Sequence, residues 1–106
     1  MFVKVSADGS VQLEDRDNFR AFKLVIAGDR RTIDDVRRVL GHVAEFVDGD
    51  TAWVFADALR QRAEVANNPA WQQNFSAMIE KARPHGWIDD QRNAIKAHVE
   101  WVPSTI

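Results

Sequence analysis

The sequence has no cysteine, no tyrosine and no long apolar run. Without cysteine, the chain cannot form a disulfide, bind a metal through thiolates or use a thiol as a nucleophile. No stretch approaches the roughly 20 apolar residues that cross a bilayer. The opening residues, MFVKVSADGS, have neither the cationic start nor the apolar run of a signal peptide. We therefore expect a cytoplasmic protein with no membrane partner.

The usual catalytic motifs are also missing. The chain has no glycine-rich phosphate loop, no dinucleotide fingerprint, no nucleophile-elbow serine and no pair of histidines at helical metal spacing. An acid-base enzyme stays open, but these absences favour a non-catalytic protein with no cofactor and no metal. With 106 residues, of which 45% are hydrophobic, we expect one domain over residues 1–106.

Two strands and then an ambiguous segment open the chain. Apolar and polar residues alternate near residues 2–6 and 10–14, on either side of Asp8-Gly9, which predicts a β-hairpin. In residues 16–27, Phe19, Phe22 and Ile26 recur at helical spacing, while Phe22, Leu24 and Ile26 also alternate as in a strand. A helix is favoured there, and a third strand is the alternative.

A helix over residues 33–47 is the next prediction. Thr32 is placed to cap it, and Asp34 and Asp35 suit the positive end of the helix dipole. Its apolar residues would occupy an arc of about 160°, which is wider than the roughly 100° that a surface helix needs. We therefore expect this helix to be covered on two sides. The extra cover would come from the N-terminal hairpin or from the same helix of a second copy of the chain, and the width of the arc leads us to expect a two-fold dimer.

Two further helices are predicted in the middle of the chain. Thr51 to Phe55 favours a strand followed by a helix over residues 56–66, although one helix starting at Thr51 would also align the apolar residues. Asn67-Asn68-Pro69 then marks the start of an amphipathic helix, because asparagine caps helices and proline suits their first position. That helix ends before Pro84.

The C-terminal part predicts a second hairpin. Residues 87–89 look extended, residues 90–93 look like a turn, and residues 94–102 alternate as in a strand, although a helix would also gather Ile95, Val99 and Val102. The expected fold class is therefore α+β, with an N-terminal hairpin, about four helices and a C-terminal hairpin.

From Thr32 onward, this order of elements resembles the winged helix-turn-helix layout. The best local feature runs from Phe75, Met78 and Ile79 through Gly86 into Trp87-Ile88-Asp89, which is similar to a recognition helix entering the first wing strand. The resemblance implies a winged-helix-like arrangement over residues 32–102. It also implies a DNA-facing helix surface made by Gln72, Gln73, Ser76 and Arg83.

Charge disfavours nucleic acid as a partner. Residues 51–102 carry six basic and six acidic side chains, and the whole chain has a net charge of −2. Phosphate attraction supplies most non-specific affinity for DNA, and no basic face is visible in the sequence.

The residues that most resemble a chemical site lie on the predicted C-terminal hairpin. A turn at residues 90–93 pairs Ile88 with Ile95, Trp87 with Lys96 and His85 with His98. The non-core face would then carry a candidate ligand or interaction surface: His85, Trp87, Lys96, His98 and Glu100. Two imidazoles and a carboxylate suit zinc or acid-base chemistry, but exposed or structural histidines are the favoured interpretation.

These observations lead to three hypotheses for function. The first is a non-catalytic interaction domain that forms a homodimer or binds another protein. The second is a winged-helix transcriptional regulator. The third is a small-molecule-binding protein, or a small acid-base enzyme, with a pocket lined by Trp and His.

We predict that the protein does not bind random duplex DNA tightly. Its net charge of −2 provides little attraction for phosphates. At about 50 mM salt we expect a dissociation constant weaker than about 10 μM, measured by fluorescence anisotropy. Submicromolar affinity that falls steeply with added salt would contradict the prediction.

Overall fold

The computed structural model describes residues 1–6, 8–28 and 33–102. Within them the chain forms seven strands: β1 (Phe2–Val5), β2 (Val11–Glu14), β3 (Lys23–Ala27), β4 (Ala44–Phe46), β5 (Thr51–Phe55), β6 (Ile88–Asp89) and β7 (Ala94–Val102). It also forms three α-helices: α1 (Ile33–Leu40), α2 (Ala56–Arg60) and α3 (Pro69–Ala82). A 3₁₀ turn, Arg83–His85, follows α3.

The seven strands form one mixed sheet in the order β2-β1-β3-β7-β5-β4, and β6 pairs separately with β7. β3 pairs in parallel with both β1 and β7, whereas the other pairs are antiparallel. β5 pairs with residues 94–98 along one edge of β7. On the opposite edge, β6 pairs with residues 94 and 95, and β3 pairs with residues 98–102. β7 is therefore central to the sheet.

The two faces of the sheet differ in burial. In β7, Ile95, Ala97 and Val99 are buried, whereas Lys96, His98 and Glu100 are exposed. The buried strand residues form one cluster with the buried residues of the helices, such as Leu40, Leu59 and Phe75. The helices therefore pack on one face. The other face, here called the open face, has no helix over it among the described residues.

The winged-helix arrangement is wrong, and so is the expectation of about four helices. The α+β class is right, but the structure is a mixed seven-stranded sheet with three helices, of which only α1 and α3 have more than seven residues. The error has a physical reason. A winged helix has a helical core with a small sheet at its edge, whereas here β3 and β7 pair in parallel and make the sheet the larger layer.

The helix predicted over residues 33–47 ends at Leu40. After a turn, Ala44–Phe46 forms β4, with Ala44 and Phe46 buried and Glu45 exposed. The β4–β5 turn is held by Asp48, whose carboxylate Oδ1 accepts hydrogen bonds from the backbone N–H groups of Asp50 (2.8 Å) and Thr51 (2.9 Å). The wide apolar arc therefore does not exist, and the expected second copy is not needed to cover it. Thr32, the predicted cap, lies outside the described residues.

Of the remaining local predictions, some are right and others are wrong. In residues 16–27 the strand alternative is right, because Lys23–Ala27 forms β3. Thr51–Phe55 is a strand as favoured, but the following helix stops at Arg60 rather than residue 66. The N-terminal hairpin is present as β1 and β2, and the C-terminal hairpin as β6 and β7.

Helix α3 follows the prediction closely. Asn68 caps it by accepting a hydrogen bond from the Trp71 backbone N–H, and Pro69 is its first residue. On its buried face, the rings of Trp71 and Phe75 stack at 4.7 Å, and the Trp71 indole N–H donates to the Arg16 carbonyl at 2.8 Å. Although α3 has 14 residues, no helix in the described part of the chain is long and apolar enough to cross a membrane.

We predict that Trp71→Ala and Phe75→Ala each destabilise the fold by about 3 to 5 kcal/mol, because each leaves a large cavity under α3. Both side chains are almost fully buried. Urea unfolding measures the effect, and Gln73→Ala on the exposed side of α3 is the control, with a change of at most about 0.5 kcal/mol. Unfolding midpoints close to wild type for both core variants would contradict the packing described above.

Candidate functional site

The turn between β6 and β7 positions the first candidate residues. The carboxylate of Asp89 accepts hydrogen bonds from the backbone N–H of Gln91 (3.1 Å), and its other oxygen accepts from the Arg92 guanidinium (2.7 Å). The Arg92 guanidinium holds the pKa of Asp89 below its ordinary value. The hairpin pairs Ile88 with Ile95, as predicted, and the Lys96 N–H donates to the Trp87 carbonyl at 2.8 Å.

Trp87 is a large aromatic side chain that lies outside the core and is exposed. Gly86, which has a left-handed φ of 77°, ends the 3₁₀ turn and directs the chain into β6. Trp87 is 48% exposed, and its ring stacks on the His85 imidazole with 4.5 Å between ring centroids. These two rings form one wall of a groove.

This groove, here called the Trp87 groove, has a volume of about 330 Å³. It lies beside the gap that β6 and β3 leave along one edge of β7, between the C-terminal half of α3 and the segment that precedes β3. Its apolar lining includes Phe19, Phe22, Met78 and Ile95. Its charged lining consists of Arg20, Lys81 and Lys96.

The structure brings His85, Trp87 and Lys96 together at the groove, whereas His98 and Glu100 follow Lys96 on the same face of β7 and do not line the groove. His85 is not opposite His98, because β6 begins only at Ile88 and residues 98–102 of β7 pair with β3 instead. His98 lies between Lys23 and Thr51 on the open face. Glu100 forms an ion pair with Lys23 at 2.8 Å, and this hydrogen bond holds the pKa of Glu100 below its ordinary value.

Among residues 1–6, 8–28 and 33–102, no three His, Asp or Glu side chains are placed to hold a metal ion. In the register observed, the histidines of the predicted ligand surface therefore do not converge with Glu100. Acid-base chemistry that needs all three groups has no common site in this arrangement.

The open face is the second candidate surface. One row of residues crosses five strands of the sheet: Glu14, Phe2, Lys23, His98 and Thr51. A neighbouring row runs through Gln12, Lys4, Val25 and Glu100. A third row joins Lys96, Trp53 and Glu45, and the Arg92 guanidinium lies 5.8 Å from the centre of the Trp53 ring. Charged, polar and apolar side chains are therefore mixed across this face.

Three of the four residues predicted to face DNA have partners within the fold. The Gln72 amide donates to the carbonyls of Arg60 and Val65, both at 3.1 Å, and the Ser76 hydroxyl accepts from the Arg60 guanidinium at 2.9 Å. Arg83 forms ion pairs with Glu80 and Asp90, and these hydrogen bonds raise its pKa. Gln73 is exposed and has no such contact in the described structure.

Sequence reasoning missed several residues of both surfaces. Arg20, Phe22 and Lys81 line the Trp87 groove, and Lys23, Val25 and Trp53 lie on the open face. The alternation of Phe22, Leu24 and Ile26 carried the signal for Lys23 and Val25, which occupy the intervening positions of the strand. Nothing in the sequence places Arg20 and Lys81 in the lining of one groove, because that depends on long-range packing.

Comparisons with models of known protein families, with curated proteins and with solved structures find no match for this chain. Function must therefore be inferred from its own surfaces.

We predict that Asp89→Asn weakens the fold in a pH-dependent way. Because the pKa of Asp89 is lowered in the folded state, its stabilising effect is present in full above about pH 5 and is lost as the pH falls through that lowered value. The variant should therefore have a lower urea midpoint than wild type at pH 7, and at most about half of that difference at pH 3.

Asp17→Asn is the matched control for this experiment, because the Asp17 carboxylate has no hydrogen bond or ion pair to another described residue. Its urea midpoint should follow wild type at both pH values. A constant difference between Asp89→Asn and wild type from pH 7 to pH 3 would show that the Asp89 charge has no role in the turn.

Proposed function

We propose that the protein is a non-catalytic interaction domain that forms a homodimer through the open face of its sheet. The interface would centre on β3, where Val25 lies between Lys4 and Glu100, and would include Phe2 on β1 and Trp53 on β5. This surface differs from the helix that the sequence indicated. It consists of strand residues that the parallel pairing brings together.

The observation that carries the proposal is the pairing of the three strands β1, β3 and β7. β3 lies between β1 and β7 and is parallel to both. Parallel strands usually have both faces covered, whereas antiparallel sheets commonly leave one face in water. Here the helices cover one face only, so a second layer would complete the burial that is usual for this pairing.

The charges of the open face favour a second copy as that layer. Its cations are Lys4, Lys23, Lys96 and Arg92, and its anions are Glu14, Glu45, Glu100 and Asp89, which is bound to Arg92. Equal numbers of the two signs allow identical surfaces to meet without net repulsion, as an isologous two-fold interface requires. Phe2, Val25 and Trp53 are half-buried, so they have apolar area left to cover.

The experiment is a measurement of mass by light scattering at about 100 μM protein, where a complex with micromolar affinity is largely assembled. We expect wild type to be a dimer. Val25→Arg should be a monomer with a wild-type circular dichroism spectrum, because it places a further cation at the centre of both surfaces.

Gln73→Arg is the matched control, since it adds the same charge on the exposed side of α3, away from the open face. It should leave the dimer intact. A wild-type monomer at this concentration would refute the proposal. Equal dissociation of both variants would show that net charge, rather than the open face, controls association.

A further inference from the structure

The Trp87 groove combines aromatic walls with an apolar floor. His85 and Trp87 already stack on each other, and Phe19 and Phe22 contribute two more rings. Met78 and Ile95, both buried residues of the core, lie at its base. Flat rings gain dispersion and quadrupole interactions from stacked or tilted neighbours, so this lining suits an aromatic group.

The cations of the groove are unusual for this chain. Half of the described lysines and arginines are bound to acidic side chains, as in the pairs of Lys23 with Glu100, Arg62 with Glu64 and Arg83 with Glu80. Within the described structure, five of them have neither an acidic partner nor a side-chain hydrogen bond: Lys4, Arg16, Arg20, Lys81 and Lys96. Three of these five line the Trp87 groove.

The groove is therefore locally cationic in a chain whose net charge is −2. Among the described residues that line it, none is an aspartate or a glutamate. Cations that lack partners around an apolar cleft attract an anion, and their charges strengthen its hydrogen bonds. A neutral ligand would leave this concentration of positive charge without a counterpart.

We propose that the Trp87 groove binds a small aromatic carboxylate. The ring lies against Trp87 and the phenylalanines, and the carboxylate contacts Lys81, with Arg20 and Lys96 nearby. A volume of about 330 Å³ lies at the lower end of the usual range for small-molecule pockets, so it fits one or two fused rings. The groove shares Lys96 with the open face, whereas Arg20 and Lys81 line the groove alone, so Lys81 is the cation that tests this site separately from the proposed homodimer.

The experiment uses two probes that differ in charge but have the same rings, 2-naphthoate and 2-naphthamide. Their affinities are measured by calorimetry, and the indole N–H signal of Trp87 is followed by NMR. We expect 2-naphthoate to bind with a dissociation constant below about 1 mM and to shift the Trp87 signal. The amide should bind at least about tenfold more weakly, because it lacks the charge.

Lys81→Gln tests the cation directly. It should lower the affinity for 2-naphthoate by about tenfold and change the affinity for 2-naphthamide by less than about twofold. Arg16→Gln is the matched control. It also removes a cation that has no acidic partner, but Arg16 does not line the groove. It should leave the affinity for 2-naphthoate within about twofold of wild type. A thermal melt of each variant checks that it is folded.

Three outcomes would overturn the proposal. One is equal affinity for the acid and the amide, which would show that the cations do not contribute. Another is an equal loss of 2-naphthoate affinity in Arg16→Gln and Lys81→Gln, which would show long-range attraction only. The last is binding of 2-naphthoate that leaves the Trp87 signal unchanged, which would place the ligand elsewhere. These tests change Lys81, Arg16 or the ligand rather than a residue assigned to the open face, so they do not require the chain to be a dimer.

Discussion

The pairing of β7 with three other strands is the constraint on which the rest of the structure depends. β5 occupies one edge of β7, while β6 and β3 share the other edge. The alternation along β7 sends Ile95, Ala97 and Val99 into the core and Lys96, His98 and Glu100 to the open face. Because β6 and β3 do not meet on the shared edge, the space beside Lys96 becomes part of the Trp87 groove. One strand thus defines the core, the open face and the groove.

The elements that the sequence predicts well are those whose signals are local. Asn68 and Pro69 mark the start of α3, and Asp89 with the following turn defines the β6–β7 hairpin. After Leu40 the prediction of a helix is wrong, because the apolar residues there fit helical and strand spacing equally well. The structure adopts the strand because β4 can pair with β5 across the turn that Asp48 closes. Pairing with another strand decides between helix and strand here. The pattern of one segment does not show whether a partner strand exists.

The candidate sites follow the same rule. Trp87 and Lys96 were predicted together because they face each other across a short hairpin, and the structure keeps them adjacent. His98 and Glu100 were grouped with them by extending that hairpin, but β3 replaces β6 as the neighbour at that point. The place of Arg20 and Lys81 in one groove could not be predicted, since it depends on the packing of the segment before β3 against α3. The pairing of β3 with β7 thus created the surfaces that the sequence could not show.

That same pairing has a consequence for how the chain folds. β1 and β2 form a local hairpin, and so do β4 and β5, whereas Lys23 and Glu100, which join β3 to β7, lie 77 residues apart. Closing such a long loop is entropically costly, so we expect the hairpins and α3 to form early and the β3–β7 contact to form in the rate-limiting step. During synthesis on the ribosome, β3 would have an unpaired edge until β7 emerges. In that interval the chain would be most exposed to aggregation through a strand edge.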